Sequence, residues 1–89
     1  MKIVVDIKRR VLAIDADMHA DLEEILLEDG SKQKDLWGAN IYPQKSDEDF
    51  LEYTSFINIR PSDDNKDMEV MDPDIRFAIK EIVNNLIDR

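Results

Sequence analysis

The stretch Asp35-Leu36-Trp37-Gly38-Ala39-Asn40-Ile41-Tyr42-Pro43 decides how this chain is organised. Its side chains alternate, with Trp37, Ala39 and Ile41 on one side and Gly38, Asn40 and Tyr42 on the other, until Pro43 ends the run; that period of two marks a β-strand. Phe50 to Arg60 alternates likewise, with Leu51, Tyr53, Ser55, Ile57 and Ile59 on one face and Glu52, Thr54, Phe56, Asn58 and Arg60 on the other. A hairpin through Pro43 to Asp49 keeps odd positions beside odd ones, so the apolar odd face runs on across both strands. Upstream, Ile3, Val4, Val5 and Ile7 are β-branched, and the polar break Lys8-Arg9-Arg10 separates them from Val11-Leu12-Ala13-Ile14, which reads as an opening hairpin. Between the hairpins, Met18, Leu22, Ile25 and Leu26 fall on one face of a helix that Gly30 is placed to end. A second helix starts at Asp72-Pro73-Asp74, as cap, proline at the first position and dipole-favoured acid, and repeats Ile75, Ile79, Ile82, Val83 and Leu86. The expected architecture is a single α+β domain over residues 1–89 in the order ββαββα. It is an antiparallel four-stranded sheet with both helices packed on its odd face and the even face open.

At 89 residues, 43% of them apolar, the chain holds one core and no second one. It has no cysteine, which excludes disulfides, thiolate zinc sites, iron–sulfur clusters and a cysteine nucleophile, and fits a reducing cytoplasm. The opening apolar run, Ile3 to Val5, is too short for an export signal or a membrane span. Acids number 21 against 12 lysines and arginines, a net charge of -9 that repels a phosphate backbone, so no nucleic-acid partner is expected. Asp15 to Asp29 holds seven acids and no lysine or arginine, and Asp47 to Asp74 holds ten acids against Arg60 and Lys66. Both zones should hold a negative field that attracts cations.

Within the second zone, Asp63-Asp64-Asn65-Lys66-Asp67 continues to Asp74 and sets oxygens at loop positions 1, 3, 5 and 12, most of a calcium loop. Met68 stands where an EF-hand needs glycine, and Asp74 where it needs the longer glutamate, so an EF-hand proper is excluded. A divalent-cation site of calcium type lined by Asp63, Asn65, Asp67 and Asp74 is the leading expectation, with Asp15, Asp17 and Asp21 as the fallback. The bland alternative is a solvated loop whose last acids cap a helix. The lone histidine, His19, has no second imidazole to share a metal with and is expected to pack near the helix start against a carboxylate that raises its pKa. The serines carry no nucleophile signature and two glycines cannot build a phosphate cradle, so no catalytic motif is read. On the open even face, Asn40, Tyr42, Phe56, Asn58 and Arg60 combine aromatic area, amides and a guanidinium, a mixture suited to a protein partner or a homodimer. Trp37 on the odd face is expected in the core, with its indole N–H needing a partner.

The run His19-Ala20-Asp21, Leu26-Leu27, Gly30-Ser31, Gln33, Asp35-Leu36-Trp37-Gly38, Asn40 and Tyr42-Pro43, followed by Ser55 and Ile57-Asn58-Ile59-Arg60-Pro61, resembles a family of small uncharacterised prokaryotic proteins. The whole chain also resembles a small acidic α+β protein of a thermophilic methanogen. The resemblance implies a shared compact α+β fold and a cytoplasmic setting, and it carries no catalytic residues. A charged content of 37% is compatible with thermostability. The sequence thus points to a small acidic protein that binds a divalent cation, or to a non-enzymatic interaction or homodimerising module that uses the sheet face.

Overall fold

Continuous apolar runs in the first two strands turn out to matter more than the alternation of the third. In the computed structural model, which describes residues 1–46 and 48–87, strands β1 (Lys2–Asp6) and β2 (Val11–Ile14) form the opening hairpin. They are followed by α1 (His19–Glu28), β3 (Leu36–Ile41), β4 (Leu51–Glu52) and α2 (Pro73–Leu86). Short 3-10 turns sit at Gln33–Asp35, Phe56–Asn58 and Pro61–Asp63. The sheet order is β2-β1-β3-β4 and every pair is antiparallel. The expected order ββαββα and α+β class hold, and the described residues make one domain. No helix of the described residues is long and apolar enough to cross a membrane.

The two helices, however, lie on opposite faces of the sheet, not on one. Ile3, Val5, Trp37, Ala39 and Ile41 pack with Ile79, Ile82 and Val83 of α2, while Val4 and Leu36 pack with Leu22 and Leu26 of α1. A strand buried on both sides has no polar face to alternate with, which is why Ile3-Val4-Val5 and Val11-Leu12-Ala13-Ile14 are apolar at every position. The even face is therefore covered by α1 over much of its area and is not the open surface expected.

The fourth strand is also shorter than its alternation suggested. Pairing of β3 with β4 stops at Asn40 opposite Glu52, and the chain then turns away to meet residues 68–70 through Val70 N–H to Tyr53 C=O (2.9 Å) and Ser55 N–H to Met68 C=O (3.0 Å). Ser55 Oγ accepts from the Ile57 N–H at 3.3 Å and starts the 3-10 turn that breaks the period of two. This leaves half of the β3 edge without a neighbouring strand, and side chains take its place. The fully buried Asn58 accepts from Gly38 N–H (2.8 Å) and donates to Gly38 C=O (2.9 Å) and Met68 C=O (3.0 Å). Arg60 Nη2 donates to Leu36 C=O at 2.8 Å and Nη1 to Gln33 C=O at 2.6 Å, with the guanidinium 3.8 Å above the Trp37 ring. Trp37 is in the core as expected, but its indole N–H has no hydrogen-bond partner among the described residues.

At the other end of the sheet a buried carboxylate ties three segments. Asp6 accepts from Lys8 N–H (2.9 Å), Arg9 N–H (2.8 Å) and Ser31 Oγ (2.6 Å), while Arg9 reaches Ser31 Oγ and Asp29, each at 2.8 Å. Burial pushes this carboxyl up, but the three donors and the Arg9 charge outweigh it and hold the pKa below 3.8. Arg9 thus offsets the charge of Asp29 at the C-terminal end of α1. Gly30 ends that helix at φ 103°, and Asp72 caps α2 by accepting from Asp74 N–H at 2.8 Å, both as the sequence indicates. α1 differs in starting from Met18, with no side-chain cap.

The two glycines make a test of this packing. A Cβ at Gly38 would stand 2.5 Å from Ser55 Cβ, whereas one at Gly30 would meet nothing within 4 Å and cost only through its positive φ. Gly38→Ala should lose about 2–3 kcal/mol in urea unfolding through overpacking, and adding Ser55→Gly should recover part of it. Equal losses with and without Ser55→Gly would show that the close approach is not the cause.

Candidate functional site

Of the residues expected to hold a cation, Asn65 has a different task. It is buried, its amide nitrogen lies 2.7–2.9 Å from the carbonyls of Asn58, Asp67 and Glu69, and its amide oxygen accepts from Met71 N–H at 2.8 Å. Both ends of the amide are thereby spent on shaping the loop, since a side-chain carbonyl directed at a backbone N–H does not also face outward to an ion. Asp63 is exposed and stands 3.9 Å from Arg60; Asp67 accepts from Met68 N–H at 2.6 Å; Asp74 lies exposed in the first turn of α2. Asp15, Asp17 and Asp21 are likewise exposed, with Asp15 at φ 76°. Among the described residues no group of three or more His, Asp or Glu side chains is gathered so as to hold a metal ion.

The surface set separates in the same way. Asn40 and Tyr42 do share the even face, and both donate to Glu52 Oε1, at 3.0 and 3.2 Å; the Glu52 hydrogen bond and charge raise the Tyr42 pKa above 10.0. Phe56 is 77% exposed. Asn58 and Arg60 leave that face, because the 3-10 turn carries them to the β3 edge, where they serve the backbone. Burial lowers the Arg60 pKa from its ordinary value, with Asp63, Glu23 and Asp35 working against that shift.

What α1 leaves uncovered on the even face is a groove of about 390 Å³, at the end where β1 starts and β3 finishes. Its floor and walls include His19 from the start of α1, Asn40 from β3, and Thr54, Ser55 and Ile57 from the segment that crosses Gly38. Met18 and Phe56 stand on it, 58% and 77% exposed, with Met68 and Lys2 completing the lining. Met18 escaped attention because it counts as the first apolar position of the helix; it is the N-cap and turns outward.

His19 is the titratable group of this groove. Its Nε2 donates to Ala39 C=O at 2.8 Å, which leaves Nδ1 as an acceptor, and among the described residues no carboxylate pairs with it. Burial lowers its pKa from 6.5; the Ala39 bond opposes this, while Lys2 and the amino terminus add to it. The shift is opposite to the one expected from the acidic neighbourhood, because burial dominates and the charges that add to it are positive. A neutral imidazole without a hydroxyl or carboxylate partner anchors α1 to β3 and offers one acceptor in an apolar setting.

The depressed value carries a sign. The fold favours the neutral ring, so its contribution to stability is present above pH 6.5 and is lost as pH falls through the folded pKa. The His19 ring protons should titrate below 6.5 in the folded protein, and His19→Gln should remove that part of the acid slope. A midpoint above 6.5 would mean that a carboxylate, not Ala39, is its partner.

Neither the curated proteins nor the solved structures contain a match. A family match extends over residues 1–86 and takes in β1 through α2, including Gly38, Asn58, Asp6 and every residue that shapes the groove. The chain therefore belongs to the family described as a protein of unknown function (DUF5674).

Proposed function

We propose that this chain is a non-catalytic interaction module of the cytoplasm, and that the groove beside His19 receives an apolar side chain of a partner protein. The observation that carries this reading is the pair Met18 and Phe56, two large apolar side chains held in solvent over an apolar cavity. Flexible methionine beside an aromatic ring is a recurrent device of binding surfaces, and a cavity of this volume is within the range of ligand sites. The floor is rigid because Ser55, Ile57 and Asn58 are locked to Gly38, so little ordering cost falls on the partner. N-acetyl-phenylalaninamide, a neutral stand-in for such a side chain, should give saturable ¹⁵N–¹H shifts at residues 18–20, 40 and 54–57. Met18→Ser and Phe56→Ser, at exposed sites that change stability by about 0.5 kcal/mol or less, should abolish them. Shifts that survive both substitutions, or none in the parent chain, contradict the reading.

A second reading gives the acidic loop a divalent cation of calcium type. Its support is that Asp64, Asp67, Asp72 and Asp74 carry no ion pair among the described residues, while Asp63 has Arg60 only at 3.9 Å. With Asn65 turned inward, the ligands would be the carboxylates of Asp63, Asp67 and Asp74, and binding would fall near the weak, roughly millimolar end of the range. Calcium titration at about 0.15 M salt, where diffuse attraction is screened, should move residues 63–74 saturably in the parent chain and not in Asp63→Asn/Asp67→Asn. Saturable shifts confined to residues 15–21 instead would move the site to the Asp15, Asp17 and Asp21 cluster.

A further inference from the structure

Strand β2 is an outer strand of the sheet, and its free edge is distinct from the groove at His19. The bonds from Met1 to Ile41 and from Ile7 to Asp35 place the odd positions of β1 toward β3, so its even positions, Val4 and Asp6, bond Ala13 and Val11 of β2. By the alternation of an antiparallel ladder, the N–H and C=O of Leu12 and Ile14 then point outward. Beside this edge runs a second groove of about 580 Å³, bounded by β2 and by Ile25, Leu26, Glu28 and Asp29 of α1. Ile14 and Ile25 are 41% and 53% exposed along it. A free backbone edge flanked by apolar side chains is the arrangement that accepts an added strand.

We infer that this edge is a self-pairing surface, occupied by β2 of a second copy of this chain. Arg10 at φ 58° and Asp15 at φ 76° bracket the extended segment, so an incoming strand can pair over Val11 to Ile14 and no further. Antiparallel pairing about a two-fold axis at Ala13 matches Leu12, Ala13 and Ile14 to Ile14, Ala13 and Leu12 of the other copy, so that Leu12 of each copy bonds Ile14 of the other and only the non-bonding position Val11 falls opposite Asp15. A register centred on Leu12 would need Arg10 to bond Ile14, and one centred on Ile14 would need Ala16, across Asp15, to bond Leu12, so each would lose bonds at a positive-φ residue. The charges suit the same arrangement. Lys8, Arg9 and Arg10 precede β2 and Asp15 and Asp17 follow it, so in an antiparallel pair the basic end of each copy meets the acidic end of the other. Arg9 is held by Asp29 and Glu28 lies on the groove's wall, which subtracts from the attraction and leaves backbone bonds and the isoleucines as the main drive.

Sedimentation equilibrium of the full chain should show a mass approaching twice 10.4 kDa as concentration rises. Ile14→Glu and Ile25→Glu should each hold it at the monomer with an unchanged circular-dichroism spectrum, and Phe56→Ser should leave the dimer intact. Because the described chain has no cysteine, Ala13→Cys reports the register. Residues facing each other in a non-hydrogen-bonded pair are close enough for a disulfide, so diamide should convert this variant to a covalent dimer more fully than Ile25→Cys. A monomer at every concentration, a dimer that survives both glutamate substitutions, or equal cross-linking of the two cysteine variants overturns the inference.

Discussion

The side-chain amide of Asn58, inserted where a strand should be, is the contact on which the rest of the structure depends. It gives Gly38 both a donor and an acceptor, 2.8 and 2.9 Å away, and so closes the edge of β3 beyond the point where β4 ends. An open edge there would leave buried backbone groups unpaired and a template for unwanted pairing. The amide can reach only because position 38 has no side chain, and Ser55 and Ile57 fill the space a Cβ would need. Asn65 secures the arrangement from the far side by donating to Asn58 C=O at 2.7 Å.

This lock decides where a binding groove can exist. The segment from Thr54 to Asn58 crosses the even face and forms one wall; α1, anchored through His19 to Ala39, forms the other. The cavity between them is thus a consequence of closing the sheet edge with side chains, since a full-length fourth strand would have continued in the plane of the sheet and built no wall. The same loop geometry turns the Asn65 oxygen inward and leaves the neighbouring carboxylates in solvent. The apolar groove and the acidic loop therefore share one scaffold, and Asn58 and Asn65 hold both.

Much of the fold was legible in the residues. β-branched runs marked β1 and β2, helical spacing marked both helices, Gly30 and Asp72 marked their ends, and alternation marked β3. The side of the sheet was misassigned for α1, because spacing shows which residues of a helix face inward and not which face receives them. The unbroken apolar runs Ile3-Val4-Val5 and Val11-Leu12-Ala13-Ile14 held that information, since a strand with an open face would have put polar residues at alternate positions. The early stop of β4 was hidden because Tyr53 to Arg60 keeps a period of two while its backbone turns. The site was less legible than the fold. Oxygen spacing in Asp63-Asp64-Asn65-Lys66-Asp67 is equally served by a cation and by a loop that bonds itself, and only the three-dimensional path shows Asn65 doing the latter. Phe56 and Asn40 were read as surface residues and do flank the groove, but Met18 and Met68 reach it from separate segments, which no local pattern reveals.

The most direct test of this account is urea unfolding of Asn58→Leu, which keeps the branched shape of the side chain and removes both partners of Gly38. Two buried backbone groups left unpaired should cost about 2–4 kcal/mol, with an unchanged denaturant slope and loss of the saturable shifts at the groove. Stability within about 0.5 kcal/mol of the parent, the range of ordinary surface substitutions, would contradict the claim that this amide completes the sheet.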